Sequence, residues 1–407
     1  MFDFLTLDDV DASGKRVLLR VDINSPIDPK TGQIIDDKRI CATIDTLRDL
    51  RKAKVTLMSH QSKPGKYDFT SLNIHAEILR KCVKRPVRFI DDVMGPAAIG
   101  TIEGLSPGEL LVLENVRFTA EENIEGTPEE LAKTHLVRKL APHFDLFVDD
   151  AFATAHRAQA SLIGFPEVLP SVAGRIMERE LKAIDGVLSQ PKHPLVFVVG
   201  GIKVEDRIPA IQSLLDEKVV DSILVGGVVG EIFLKARGYK LGKATDEQID
   251  NHQKDQVEDA KRILSKYRKF IVTPTDVAVR SGKKRQNVPV GKLPVEEEIC
   301  DIGVNTINTF SRIIKNAGTV VASGPLGIFE EEGFEKGTET IVKAIAQCRG
   351  FTLIGGGHLD AVVEKLKLEG SFSHISTGGG AMLTFLARKK LPAVEALEKA
   401  AKRMRAA

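Results

Sequence analysis

No stretch of this sequence approaches the ~18 consecutive apolar residues that a membrane-spanning helix requires. Apolar residues make up 43% of the 407, but charge interrupts them throughout, so an integral membrane protein is excluded. An excess of one charge sign is also missing. The chain has 58 Lys and Arg against 56 Asp and Glu, a formal net charge of +2. A domain that binds duplex nucleic acid carries a much stronger basic excess, so no nucleic-acid partner is expected. The run Lys283-Lys284-Arg285 has no interleaved aromatics and reads as a solvated loop. Cysteine is scarce. Cys41, Cys82, Cys300 and Cys348 lie far apart, with no Cys-x-x-Cys pair, so neither a zinc site nor a disulfide framework is indicated. Each reads as a small buried hydrophobe. Tryptophan is absent, which decides nothing about function. The acidic opening MFDFLTLDDVD lacks a basic region followed by an apolar one. It argues against a signal peptide and for a cytoplasmic protein.

What is present is an alternation. Short β-rich apolar runs lead through glycine- or charge-marked turns into segments of helical period. Candidate strands are 16–22, 55–59, 110–114 and 146–150, then 195–200, 222–226, 270–273, 319–323, 351–355 and 373–376. Apolar runs with little alternation suit strands buried on both faces. Helix candidates include 44–53, 72–81, 128–140 and 246–267. This is the pattern of an α/β protein with mainly parallel sheets. Residues 176–184 read as a connecting helix, and Ser189-Gln190-Pro191-Lys192-His193-Pro194 resets the chain before a new strand. Each side is long enough for a sheet of about six strands. The segment 391–407 is strongly helical and by its pattern suits either half.

Ligands of open parallel sheets bind beyond the carboxyl ends of the strands. In the first half those positions hold cations and polar groups. They are Arg20-Val21-Asp22-Ile23-Asn24, then Asp36-Asp37-Lys38-Arg39, then His60-Gln61-Ser62-Lys63, then Asn115-Val116-Arg117, then His156-Arg157. Arginine forks match phosphate and carboxylate oxygens in pairs, so a small polyanion is the expected ligand. Taken singly, each cation also suits a solvated loop or a surface ion pair. A lone histidine such as His75 or His143 is more often structural. In the second half the strand ends carry glycine: Gly200-Gly201-Ile202-Lys203, Gly226-Gly227, Ser323-Gly324-Pro325-Leu326-Gly327, Gly355-Gly356-Gly357 and Thr377-Gly378-Gly379-Gly380. One such turn needs no ligand. Two triple-glycine turns with Gly-Gly-x-Lys favour a nucleotide polyphosphate held by backbone N–H groups at helix starts. No GxxxxGK[ST], HRD with DFG, HExxH or GxSxG motif occurs, and no full GxGxxG follows a strand. These absences exclude a P-loop NTPase and a protein kinase and weaken a dinucleotide dehydrogenase.

The segments RVDINSP (20–26), DDKRI (36–40), SHQSKP (59–64), LENVRF (113–118), DDAFATAHRAQAS (149–161), GGIKVEDRI (200–208), DIGVNTI (301–307), SGPLGIFE (323–330), IGGG (354–357) and SHISTGGGA (373–381) occur in this order. Through them the chain resembles the phosphoglycerate kinase family nearly end to end. The resemblance implies two similar α/β domains, each a mainly parallel sheet covered by helices on both faces, facing a central cleft. It implies a phosphoglycerate-binding domain over 1–175, a connecting helix and hinge over 176–192, and a nucleotide-binding domain over 193–389. The helix 390–407 returns to the first domain, and the domains close on substrate. The implied reaction is reversible transfer of the acyl phosphate of 1,3-bisphosphoglycerate to ADP, giving 3-phosphoglycerate and ATP, with Mg2+ bound to the nucleotide.

By the resemblance, Asp22, Asn24, Arg39, His60, Gln61, Ser62, Lys63, Arg117 and Arg157 hold phosphoglycerate. Lys203, Arg207, Gly226, Gly227, Gly324, Pro325, Glu330, Gly355, Gly356, Gly357, His358, Gly378 and Gly379 serve the nucleotide. Arg39, Lys203, Gly357 and Gly380 surround the moving phosphoryl. Several positions depart from the commoner family pattern: Lys63 for Arg, Arg207 for a second Lys, Ser323 for Asn, and His358 for an Asp- or Ser-type residue. The set looks like the archaeal branch, and it assigns no protein ligand to the metal. A monomer and a homodimer are equally compatible with a near-neutral chain. A dehydrogenase, or a non-catalytic sensor that kept the fold, stay as alternatives. A sensor would be marked by loss of Arg39 or Lys203, and both are present.

Overall fold

The computed structural model describes residues 3–282 and 284–406. The chain divides into two compact units, Met1–Lys182 with Lys390–Ala407, and Ala183–Lys389.

The first unit is built on six parallel strands: β1 Arg16–Arg20, β2 Lys54–Met58, β3 Val87–Phe89, β4 Leu110–Val112, β5 Leu146–Asp149 and β6 Ser171–Ala173. Their order across the sheet is β3-β4-β2-β1-β5-β6. The central strands are apolar on both faces because helices cover both. Val17, Leu18 and Leu19 are all fully buried, each worth about 1.5–3 kcal/mol over an exposed side chain. Val17, Leu19, Val55, Leu57, Val112 and Val148 form one core with Leu47, Ala76 and Leu79 from the covering helices. The helix Pro392–Ala406 belongs to this unit: Ala393 N–H donates to Ala155 O, and Arg403 donates to Pro166 O.

The second unit holds β7 Leu195–Val199, β8 Ser222–Val225, β9 Ile271–Val272, β10 Asp276–Ser281, β11 Lys284–Pro289, β12 Ile299–Ile302, β13 Thr319–Ser323, β14 Phe351–Gly355 and β15 His374–Ser376. Six of these form a parallel sheet in the order β15-β14-β13-β7-β8-β9, and β11-β10-β12 form a separate antiparallel sheet. From the adjacent pair β7 and β13 the chain winds outward in both directions. Such a reversal of strand order opens a crevice at the carboxyl ends, where α/β sheets bind ligands.

Several expectations are corrected. The segment 246–267 is not one helix but two, Lys243–His252 and Lys254–Tyr267, parted at Gln253, which leaves helical geometry with φ −143° and ψ 26°. The segment 128–140 divides into Pro128–Leu131 and His135–Leu140, because the Thr134 side chain accepts from Val137 N–H and starts a new helix. The basic run is no solvated loop at its described positions. Lys284 and Arg285 lie in β11, and Arg285 Nη1 sits 2.7 Å from the buried Asp301 carboxylate; Lys283 lies outside the described residues. Of the cysteines only Cys300 is buried, while Cys41, Cys82 and Cys348 are half-exposed. The fold brings Cys41 against Cys82.

Candidate active site

In the first unit the loops after β1, β2, β4 and β5 emerge from neighbouring strands and are tied to one another. After β1, Asn24 N–H donates to Asp22 Oδ1 at 3.0 Å, a turn that Asp and Asn favour through their short acceptor side chains. Arg39, from the helix Lys38–Ala42, donates through Nη1 to Asp22 Oδ2 at 3.0 Å and to Asn24 O at 3.4 Å. Its side chain stays 38% exposed, so a charged guanidinium is presented on a fixed base. After β2, Ser62 N–H donates to Asn24 Oδ1 at 2.8 Å, and Ser62 Oγ donates to Asp68 at 2.6 Å. These bonds hold Ser62 at φ +54°, a region a non-glycine residue adopts only when its surroundings compel it. After β4, Arg117 donates to Ser62 O.

Arg20, at the end of β1, is fully buried. Its Nη2 lies 3.4 Å from His60 Nδ1. A guanidinium only donates, so Nδ1 accepts and the ring proton resides on Nε2. Burial, with Arg20, Arg117, Arg157 and Arg39 nearby, pushes His60 well below the usual imidazole range. Burial likewise pushes Arg117 down to about 10, with Arg157 and Arg20 adding repulsion, and lowers Arg157. The carboxylates answering these four guanidiniums are Asp22, the buried Glu122 and Asp149, and the exposed Glu125. Glu122 is itself pushed up by burial. Arg117 Nε is buried with no hydrogen-bond partner among the described residues. An anion placed among these cations relieves their mutual repulsion, and that is the chemistry this cluster offers.

The second unit offers amides. The helices Val204–Asp216, Gly227–Ala236, Gly357–Lys365 and Gly379–Leu386 begin directly after β7, β8, β14 and β15. Their first N–H groups have no partner within the helix and carry the positive end of its dipole. Glycine is required where the loops meet. A Cβ on Gly200 would lie 2.1 Å from Pro325 O, and one on Gly324 would lie 2.3 Å from Gly200 O. Gly226 N–H donates to Val199 O, and Gly227 N–H donates to Leu326 O at 2.9 Å. Arg207 is buried beneath this junction: Cβ atoms on Gly201 and Gly324 would meet its Nη2 at 3.0 and 2.8 Å. Its Nη1 donates to Lys203 O, and its Nε is buried without a partner among the described residues. Lys203 caps its helix and is exposed. Gly355 and Gly356 lead into the helix that starts with Gly357 and His358, and Gly378 caps the one that starts with Gly379 and Gly380. A Cβ on Gly379 would lie 2.7 Å from Gly356 Cα, so these two glycine turns are packed together. His358 packs on Phe329, with ring centroids 5.7 Å apart, which sets the Glu330 segment beside the Gly357 turn.

The fold thus brings Asp22, Asn24, Arg39, His60, Ser62, Arg117 and Arg157 into one cluster. Lys63 follows Ser62 on the surface. The Gln61 side chain is taken up within the protein. Buried, it accepts from Ser25 N–H and donates to Ser25 O and Asp68 O, with His75 Nε2 at 3.0 Å. Arg20 closes β1 at a strand end that the sequence marks, but its burial against His60 is legible only in the fold. Glu231, which the sequence does not mark, lies in the first turns of Gly227–Ala236 beside a cavity lined by Gly227, Leu234, Pro274, Val277 and Leu326. Burial pushes Glu231 up to about 8.

A family model described as phosphoglycerate kinase matches residues 7–389. A phosphoglycerate kinase of Methanothermobacter thermautotrophicus is 48% identical over 400 residues, 98% of this chain and 97% of that one. One of Methanococcus maripaludis is 46% identical, over 97% of this chain and 98% of its own length. The crystal structure of phosphoglycerate kinase from Pyrococcus horikoshii OT3 superposes with a TM-score of 0.91 at 38% identity, covering 98% of this chain and 99% of that one. On motifs, strand order and these similarities together, the chain belongs to the phosphoglycerate kinase family.

Proposed function

We propose that the guanidinium cluster of the first unit binds the phosphoglycerate and that the glycine turns of the second bind the nucleotide. The observation that carries this reading is the crowding of Arg20, Arg39, Arg117 and Arg157 about one neutral imidazole, with Arg117 Nε buried and unpartnered among the described residues. Arg117, Arg157 and His60 Nε2–H hold the phosphate end. Asp22 and Asn24 fix Arg39, and Ser62 and Lys63 close the rim. In the second unit Lys203, Arg207 and the amides of Gly356, Gly357 and Gly379 receive the phosphates, while Gly226, Gly227 and Gly378, whose own amides donate to Val199 O, Leu326 O and Ser376 Oγ, let the loops pack closely around them. Gly324 and Pro325 line the approach, and Glu330 accepts from the ribose hydroxyls.

The acceptor of the phosphoryl group is a carboxylate, already ionised at neutral pH, so the reaction needs no general base. Its requirements are alignment of the reactants and positive charge about the moving group. Arg39, Lys203 and the amides of Gly357 and Gly380 supply that charge. Among the described residues no group of three or more His, Cys, Asp and Glu could hold a metal ion. Mg2+ would be bound with the nucleotide and would offset its phosphate charge. The enzyme works in the cytoplasm, and no described helix is long and apolar enough to cross a membrane.

Arg39→Ala tests the assignment. Asp22 already restrains the guanidinium without substrate, so its contribution falls mainly on the transition state. Steady-state kinetics should show kcat lowered at least about 100-fold and KM for phosphoglycerate changed by only a few-fold. A change confined to KM would make Arg39 a binding residue only.

A further inference from the structure

We propose that Cys41 and Cys82 are an oxidisable pair that closes into a disulfide, stapling the helix that carries Arg39 to the helix Asn73–Cys82. Their Sγ atoms lie 3.1 Å apart, closer than the about 3.5–4.0 Å at which unbonded heavy atoms are at their best separation. About 1 Å of further approach makes a bond of about 2.05 Å. The helices do not have to find one another. Ile40, beside Cys41, and Ala76 and Leu79, from the second helix, are buried in one hydrophobic cluster. The other two thiols meet no cysteine: Cys300 Sγ lies near Arg280 and Glu298 O, and Cys348 Sγ near Ala317 O and Gly350 N–H. Cys41 and Cys82 are both half-exposed, which gives a small reagent access.

The oxidant is a low-molecular-weight disulfide. One protein thiolate attacks it, forming a mixed disulfide and expelling the first small thiolate. The second protein thiol loses its proton and attacks the mixed disulfide at the protein sulfur, expelling the second. Two protein thiols and one small disulfide become one protein disulfide and two small thiols. Burial, reinforced by Cys82, pushes the Cys41 thiol up to about 12, so closure is slow near neutrality and quickens as pH rises. The sulfurs already touch, so the staple holds Arg39 on Asp22 rather than displacing it. Its effect is on the unfolded chain, in which it closes the 41-residue separation between the cysteines.

The test equilibrates the whole reduced protein with glutathione disulfide at mildly alkaline pH, then alkylates it and maps its peptides. Expected are a Cys41–Cys82 cross-linked peptide, alkylated Cys300 and Cys348, and a melting temperature raised by about 5–15 °C. The kcat should stay within about twofold of that of the reduced enzyme. Cys82→Ser and, independently, Cys41→Ser should abolish both the cross-link and the rise while melting like the reduced parent. Four alkylated thiols, a persistent glutathione adduct, an equal rise in either variant, or a tenfold loss of kcat on closure would each overturn the proposal.

Discussion

His60 and Gln61 are neighbours in one loop and are equally buried, yet they do different work. Gln61 is saturated by Ser25, Asp68 and His75 and holds the loop in shape. His60 is bound on one nitrogen to Arg20, which leaves Nε2–H as a neutral donor. Burial, with the surrounding guanidiniums adding to it, keeps it from protonating, so it contributes no charge step in the working range. His60→Ala should raise KM for phosphoglycerate by about 10-fold and change kcat little, the loss of one hydrogen bond to a charged partner. The pH profile of the parent should be flat where free histidine titrates. An inflection near pH 6.5 that vanishes in the variant would contradict the neutral ring. Sequence legibility was uneven at this scale. Arg39, Arg117 and Arg157 stood out as charges after strands, whereas the roles of His60 and Gln61 depend on partners 7 to 40 residues away. Arg285 makes the same point from the opposite side. A charge run looks solvated until the fold supplies Asp301.

Among elements, the helix Arg175–Ser189 begins on a buried carboxylate. Asp150 Oδ1 accepts from Ile176 N–H at 2.7 Å and Met177 N–H at 3.1 Å, while Thr46 Oγ donates to Oδ2 at 2.5 Å. Burial pushes Asp150 up to about 7, against the lowering effect of these bonds. A carboxyl whose native pKa exceeds its unfolded value binds more protons folded than unfolded between about pH 4 and pH 7. Stability therefore falls as pH rises through that window. Asp150→Asn keeps a neutral acceptor for both amides. Its stability relative to the parent should climb by up to about 4 kcal/mol from pH 4 to pH 7. Melting curves across that range check it, and a difference independent of pH would show that Asp150 folds as an anion.

The long apolar strands were legible because burial on both faces leaves an uninterrupted run. β3 is broken by Arg88 and β6 is a bare Ser171–Ala173, whereas the equally short β4 and β15 are marked by the apolar run 110–113 and by the glycine turn after Ser376. The antiparallel strand β11, KRQNVP, is largely exposed, and its polar sequence carries no strand pattern. The break at Gln253 has neither glycine nor proline to announce it.

For the molecule as a whole, the near balance of charge conceals a division of labour. One parallel sheet gathers cations at its carboxyl ends, and the other gathers glycine turns and helix starts. Both architectures were readable because each sheet keeps its chemistry at the same end of its strands. The three-stranded antiparallel sheet was not. Its strands are tied to the rest of the unit by contacts that only the fold supplies: Asp276 accepts from Asn305 and Thr306 N–H at a helix start, and Arg285 pairs with Asp301. We propose that the cations of the first unit bind one substrate and the glycine turns of the second bind the other in a single phosphoryl-transfer reaction. A coupled assay of ADP formation from 3-phosphoglycerate, ATP and Mg2+ tests it most directly. The account predicts ADP formation that requires all three components; turnover of ATP without phosphoglycerate, or none with all three present, would contradict it.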